Sequence, residues 1–255
     1  MTGVPRISDA DLWIRSYHPA ATATTKLVCL PHAGGSASYF FPVSARLSPA
    51  VQVLAVQYPG RQDRRGERCI KSIAELADAL VPYVLAQADR PLALFGHSMG
   101  ASLAFELAQR LEDRAVIPLA LFVSGRRAPS RHHVETTHQL DDEGLLREMR
   151  ALGGTHASLL VDDELIRMAL PAIRGDYTAA ETYRWVPGPP LRTPIHVYTG
   201  RSDPRVTLDE ASAWREHTTA GFSLTPYSGG HFFLNDHAAQ ITEAIGRVIT
   251  AGVSP

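Results

Sequence analysis

Cysteine is almost missing from this chain: Cys29 and Cys69 are the two it has, with neither C-x-x-C spacing nor a histidine cluster nearby. That pattern excludes a disulfide framework and offers no zinc site, so both are expected as free thiols, Cys29 inside a strand. An excess of charge is missing too, since 25 basic against 26 acidic residues leave a formal net charge of -1. Such a balance gives no long-range attraction to nucleic acid or to an anionic membrane, and any charged partner has to be met by a local patch. No run of about 18 apolar residues occurs, which argues against a membrane-spanning helix. The opening MTGVPRISDADLW lacks a basic segment followed by an apolar one, and a cytoplasmic protein is expected.

What is present is a regular alternation. From Leu27 to Gly125 the apolar runs LVCLPH, VQVLAVQ, PLALFGH and IPLALFVSG are separated by amphipathic stretches. Continuous apolar runs suit parallel strands covered on both faces, and the stretches between them suit crossover helices. Ile73, Leu76, Ala77, Leu80, Val81, Val84 and Leu85 recur at helical spacing behind a capping-box pair, Ser72 and Glu75. Leu103, Ala104, Leu107, Ala108 and Leu111 form a second such stripe. From about 126 to 190 the alternation stops, because DDEGLLREMRAL and DDELIRMALPAIRGDY read as helices with no strand between them. It resumes with PIHVYTG, a helix from about Leu208 to His217, the run FSLTPYS, and a last helix carrying Ile241, Ile245 and Val248. At 255 residues the chain lies near the upper limit for one core, so residues 1–255 are expected to form one α/β domain. Its sheet is doubly wound and mostly parallel, interrupted by one helical insertion.

The segment G-H-S-M-G falls between the run PLALF and the Leu103 stripe. A G-x-S-x-G match means little by itself, but at a strand-to-helix junction it is the nucleophile elbow of the α/β-hydrolase fold. Ser98 is therefore the candidate nucleophile. A serine hydroxyl needs an imidazole base oriented by a carboxylate, and in this fold the chain order is nucleophile, acid, base. Of 11 histidines, His231, in a loop after FSLTPYSGG, fits best. His217 and His237 are expected on solvated helix faces, His196 within a strand, and His97 as packing beside the nucleophile. Asp203, just after PIHVYTG, is the candidate acid, whereas Asp209, Asp176 and the pairs Asp141/Asp142 and Asp162/Asp163 read as solvated or capping residues. Two N–H donors must receive the oxyanion. The backbone N–H of Met99 is one, and the loop H-A-G-G after LVCLP is expected to supply that of Ala33 as the other.

The wording around these positions, L-P-H-A-G-G-S-A, Y-P-G-R, G-H-S-M-G, S-G-R-R-A-P, R-G-D-Y and G-G-H-F-F-L, resembles the type II thioesterases. These are free-standing editing enzymes of polyketide synthases and nonribosomal peptide synthetases. The resemblance runs from about Leu27 to Ile249 and implies hydrolysis of acyl groups from the phosphopantetheine thiol of carrier proteins, with no cofactor and no metal. It also implies that the helical insertion is a lid, to which Leu145, Leu146, Met149, Leu152, Leu159, Leu160, Leu165 and Met168 would give apolar surface. The helix from Tyr177 to Tyr183 is expected as core, with a part in walling the substrate route as the other reading. Arg61, Arg64, Arg65, Arg68, Arg126, Arg127 and Arg131 are expected to be solvated, or to form a docking surface for an acidic carrier. Rival readings are a medium-chain thioesterase of fatty-acid synthesis, an ordinary carboxylesterase or lipase, and a noncatalytic binding protein on the same fold.

Overall fold

A computed structural model describes residues 9–153 and 163–252. Seven strands, β1 (Ile14–Arg15), β2 (Thr25–Leu30), β3 (Val51–Val56), β4 (Leu92–His97), β5 (Leu121–Ser124), β6 (Ile195–Gly200) and β7 (Phe222–Tyr227), form one sheet in the order β1-β3-β2-β4-β5-β6-β7. Strands β2 to β7 pair in parallel and β1 pairs antiparallel with β3. Every residue of β2, β3, β4 and β5 is buried, which is why these strands read as unbroken apolar runs. The two residues of β1 gave no such signal.

The helices lie on both faces. After the short α1 (Asp9–Trp13) come α2 (Phe41–Leu47), α3 (Ile73–Leu85) and α4 (Met99–Glu112). Helices α3 and α4 bury their stripes, Ile73 to Val84 and Leu103 to Leu111, in one core. Ser72 Oγ accepts from the Glu75 N–H at 3.3 Å, half of the anticipated capping box. On the other face Leu47 of α2 packs with Ile241, Ile245 and Ile249 of α9 (Ala238–Ala251), and Val248 lies half-buried at the edge of that core.

Between β5 and β6 the described residues hold a 3-10 turn and two helices, α5 (Asp142–Leu152) and α6 (Asp163–Thr182). Leu145 and Met149 of α5 pack on Ile166, Leu170 and Ile173 of α6, with Leu146 at the edge, while Met168 is exposed. Leu159, Leu160 and the side chain of Leu165 lie outside the described residues. After β6 the single helix expected from Leu208 to His217 is instead α7 (Leu208–Ser212) followed by a 3-10 turn, Ala213–His217. A complete capping box between Thr207 and Glu210 starts it. The short α8 (Phe233–Asp236) precedes α9.

His217 is not on a solvated face. It is 2% exposed, packs edge-on against Phe105, Trp185 and Trp214, and shares a 2.9 Å hydrogen bond between Nε2 and Ser130 Oγ. Burial pushes its imidazole down to about 4 from the ordinary 6.5. Unfolding frees the ring to bind a proton between those values, so the stability it contributes is full above about 6.5 and lost as pH falls toward 4. The melting temperature should fall across that window, and His217→Phe should make the fall shallower. Equal slopes for wild type and variant in thermal melts would contradict this assignment.

Candidate active site

Ser98 stands alone between β4, which ends at His97, and α4, which begins at Met99. Its φ of 54° and ψ of -117° lie where a side chain is strained, at about 1–3 kcal/mol. The flanking glycines explain how the turn exists. A Cβ on Gly96 would come 2.0 Å from Gly100 O, and one on Gly100 would come 2.1 Å from Leu30 O. Strand β4, helix α4 and the end of β2 therefore touch backbone to backbone, and the Ser98 N–H donates to Ser124 O at 2.8 Å. His97 points into the core, with Nδ1 3.0 Å from Ser124 Oγ, and Gly125 leaves it room, since a Cβ there would meet His97 Cε1 at 2.5 Å. Burial, helped by His231 and His32 nearby, holds its pKa well below the usual range, so it stays a neutral packing residue.

Behind Ser98 the structure brings together the two groups read from chain order. His231 Nε2 is 3.0 Å from Ser98 Oγ, and His231 Nδ1 is 2.9 and 3.1 Å from the two Asp203 oxygens. The Asp203 side chain is fully buried and also accepts the Arg205 N–H at 2.8 Å. A carboxylate accepts, so Nδ1 carries the proton and Nε2 is left to receive the serine hydroxyl. The loops that deliver acid and base are fitted to each other at Gly200, where a Cβ would lie 2.3 Å from Gly230 O.

Two amides border the serine. Met99 is the first residue of α4, so its N–H has no acceptor within the helix. In the loop after β2, Gly34 N–H donates to Asp176 Oδ2 at 2.7 Å and Gly35 N–H to His32 O at 2.9 Å. The Ala33 N–H just before them takes no acceptor among the described residues. Ala33, Ser98 and His231 line one cavity of about 50 Å³, which Met149 and Leu152 of α5 and Tyr177 of α6 also border. Burial raises the Tyr177 hydroxyl to about 12, and Tyr183, farther along, donates to Glu106 of α4 at 2.7 Å.

Several charged residues sit differently from expectation. Asp176 is not solvated: it is 1% exposed and accepts from Arg61 Nη1 and Nη2 at 2.6 and 2.7 Å. Arg61, Arg64 and Arg127 are likewise buried, not solvated. Arg64 is paired with Glu67 and lies over the Trp13 ring, and Arg127 forks onto Glu135. Arg65 and Arg68 are exposed as expected, and Arg131 is 39% exposed beside Glu216. Sequence order carried no sign of the Arg61 to Asp176 pair, whose members are 115 positions apart. Among the described residues no group of three histidine, cysteine, aspartate or glutamate side chains could hold a metal, and no helix is long and apolar enough to cross a membrane.

Residues 25–249 match the model of the thioesterase domain. Thioesterase PikA5 of Streptomyces venezuelae is 52% identical over 96% of this chain and 88% of its own length. The "Probable cadicidin biosynthesis thioesterase" of Streptomyces griseus is 49% identical over 93% of this chain, which spans 66% of that longer relative. Among solved structures, the type II thioesterase BorB from the borrelidin biosynthetic cluster superposes with a TM-score of 0.87 at 52% identity, covering 95% of this chain and 97% of its own. The chain therefore belongs to the thioesterase family, as a type II thioesterase of the α/β-hydrolase fold.

Proposed function

We propose that the protein hydrolyses short acyl groups from the phosphopantetheine thiol of carrier proteins, through an acyl-enzyme on Ser98. The observation that carries this reading is the hydrogen-bonded line from Ser98 through His231 to Asp203, opening into a cavity of about 50 Å³. His231 Nε2 takes the Ser98 proton as Oγ attacks the thioester carbonyl, and the amides of Met99 and Ala33 receive the oxyanion. Each such donor is worth about 3 kcal/mol in the transition state. The C–S bond breaks, the thiol leaves with the proton from His231, and the acyl group remains as an ester on Ser98. Water then attacks that ester, giving its proton to His231, which returns one to the serine. Asp203 keeps the imidazole in the required tautomer.

One domain with a lid accounts for the rest. Met149, Leu152 and Tyr177 place α5 and α6 over the serine, and an editing role calls for acetyl or propionyl to be released faster than longer chains. A groove of about 250 Å³, lined by Arg131, His132 and Arg184, shares Arg126 and Arg127 with the cavity. Arg184 is exposed and donates to the carbonyls of Glu181 and Tyr183, and Arg126 donates to Ala180 O at 3.0 Å and lies 3.9 Å from a carboxylate oxygen of Glu135, which also lines the groove. An acidic carrier would find its complement there.

Thiol release from acetyl, propionyl and octanoyl pantetheine, and from the same groups on a carrier, tests both points. Rates should fall toward octanoyl, and Arg131→Gln with Arg184→Gln should slow carrier substrates about 10-fold through KM while sparing the pantetheines. Octanoyl as best substrate would instead favour release of medium-length chains, and equal loss on both substrate types would remove the docking surface.

A further inference from the structure

Two motifs singled out in the sequence, Y-P-G-R and R-G-D-Y, take no part in the proton relay, and the structure brings them together. Arg61 and Asp176 form a forked ion pair with side chains 7% and 1% exposed. Their glycines explain the fit. A Cβ on Gly60, whose φ is +85°, would lie 2.3 Å from Cys69 Sγ, and one on Gly175 would lie 3.1 Å from Cys69 Cβ, so both segments close on that cysteine.

The pair ends on the loop that carries Ala33. Asp176 Oδ2 accepts the Gly34 N–H at 2.7 Å, and Arg61 Nη1 donates to Gly35 O at 2.9 Å. Tyr58, whose ring lies 5.0 Å from the Arg61 guanidinium, donates its hydroxyl to Pro31 O at 3.0 Å. The backbone on both sides of Ala33 is thus fixed by side chains from outside the loop. Buried ion pairs add little net stability compared with well-packed apolar residues, so their placement calls for another reason. Here the partner amide is adjacent to the one left without an acceptor.

We infer that Asp176 is a positioning residue for the oxyanion site: by holding the Gly34 N–H it aims the neighbouring Ala33 N–H at the serine. Because Asp176 belongs to α6, the donor is in place only when that helix is seated. This deepens the hydrolase reading above and rests on it.

The test uses the full chain, acetyl pantetheine, and two inhibitors built on the same arm. One is a trifluoromethyl ketone that adds to Ser98 and leaves an oxyanion; the other is an inert thioether. Asp176→Leu should lower kcat about 10- to 100-fold with KM little changed, as expected for a misplaced donor. Ketone affinity should fall in parallel and thioether affinity should not. Since Asp176→Leu leaves Arg61 buried without its partner, the double variant Arg61→Met with Asp176→Leu serves as the folded control. It should melt near the wild-type temperature and remain slow. Recovery of kcat and ketone affinity in the double variant would show that the pair only supports the fold, and would overturn the inference. If wild type neither turns over the thioester nor binds the ketone, the hydrolase reading itself fails, and this inference with it.

Discussion

Replacing His231 with alanine should lower kcat/KM by about 10⁴-fold or more while the protein stays folded. The serine hydroxyl is a weak nucleophile near neutral pH, and its acceptor is His231 Nε2, 3.0 Å away. No neighbouring ring takes over. His97 is nearest in sequence, but its Nδ1 is engaged with Ser124 and burial disfavours its charged form. Asp203→Asn should cause a comparable loss with a smaller structural change, because an amide can stabilise the wrong imidazole tautomer. Thiol release from acetyl pantetheine, with melting curves for each variant, checks both. A fall of less than about 100-fold for His231→Ala would mean that another group takes the serine proton.

The second large effect is structural. Gly100→Ala should destabilise the protein by about 3 kcal/mol or more, a large share of the 5–15 kcal/mol that holds a typical domain folded. The added carbon would stand 2.1 Å from Leu30 O and 2.7 Å from Pro31 O, both backbone atoms at the end of β2. Neither can rotate away, so α4 and β2 must separate. The loop that follows Pro31 is the one bearing Ala33, and the same displacement should reduce activity even at temperatures where the variant remains folded. Urea unfolding and kcat measured on the folded fraction separate the two effects. A variant as stable as wild type would show that the elbow is looser than the contacts around Gly100 imply.

These sites differ in how much of them the sequence displays. Strands β2 to β5 were legible because burial on both faces leaves unbroken apolar runs, and α3 and α4 because burial on one face leaves a stripe. Ser98, Asp203 and His231 could be placed in order because each follows a strand. Strand β1 could not, since two residues carry no period. Charged side chains misled most. An aspartate within a helical pattern looks solvated unless its partner is known, and that of Asp176 is Arg61, in a different motif altogether. His217 misled for a related reason: the helix expected to expose it ends in a tight 3-10 turn that carries it inward among aromatic rings.

The most direct measurement is intact-mass analysis of carrier proteins loaded with acetyl, propionyl and longer acyl groups, before and after mixing with the protein, with its own mass followed at the same time. Short acyl groups should leave the carrier, the protein should transiently gain the acyl mass at Ser98, and Ser98→Ala should do neither. Unchanged carrier loading across the panel, alongside cleavage of simple oxygen esters, would contradict the thioesterase reading, and deacylation by Ser98→Ala at the wild-type rate would contradict the serine mechanism.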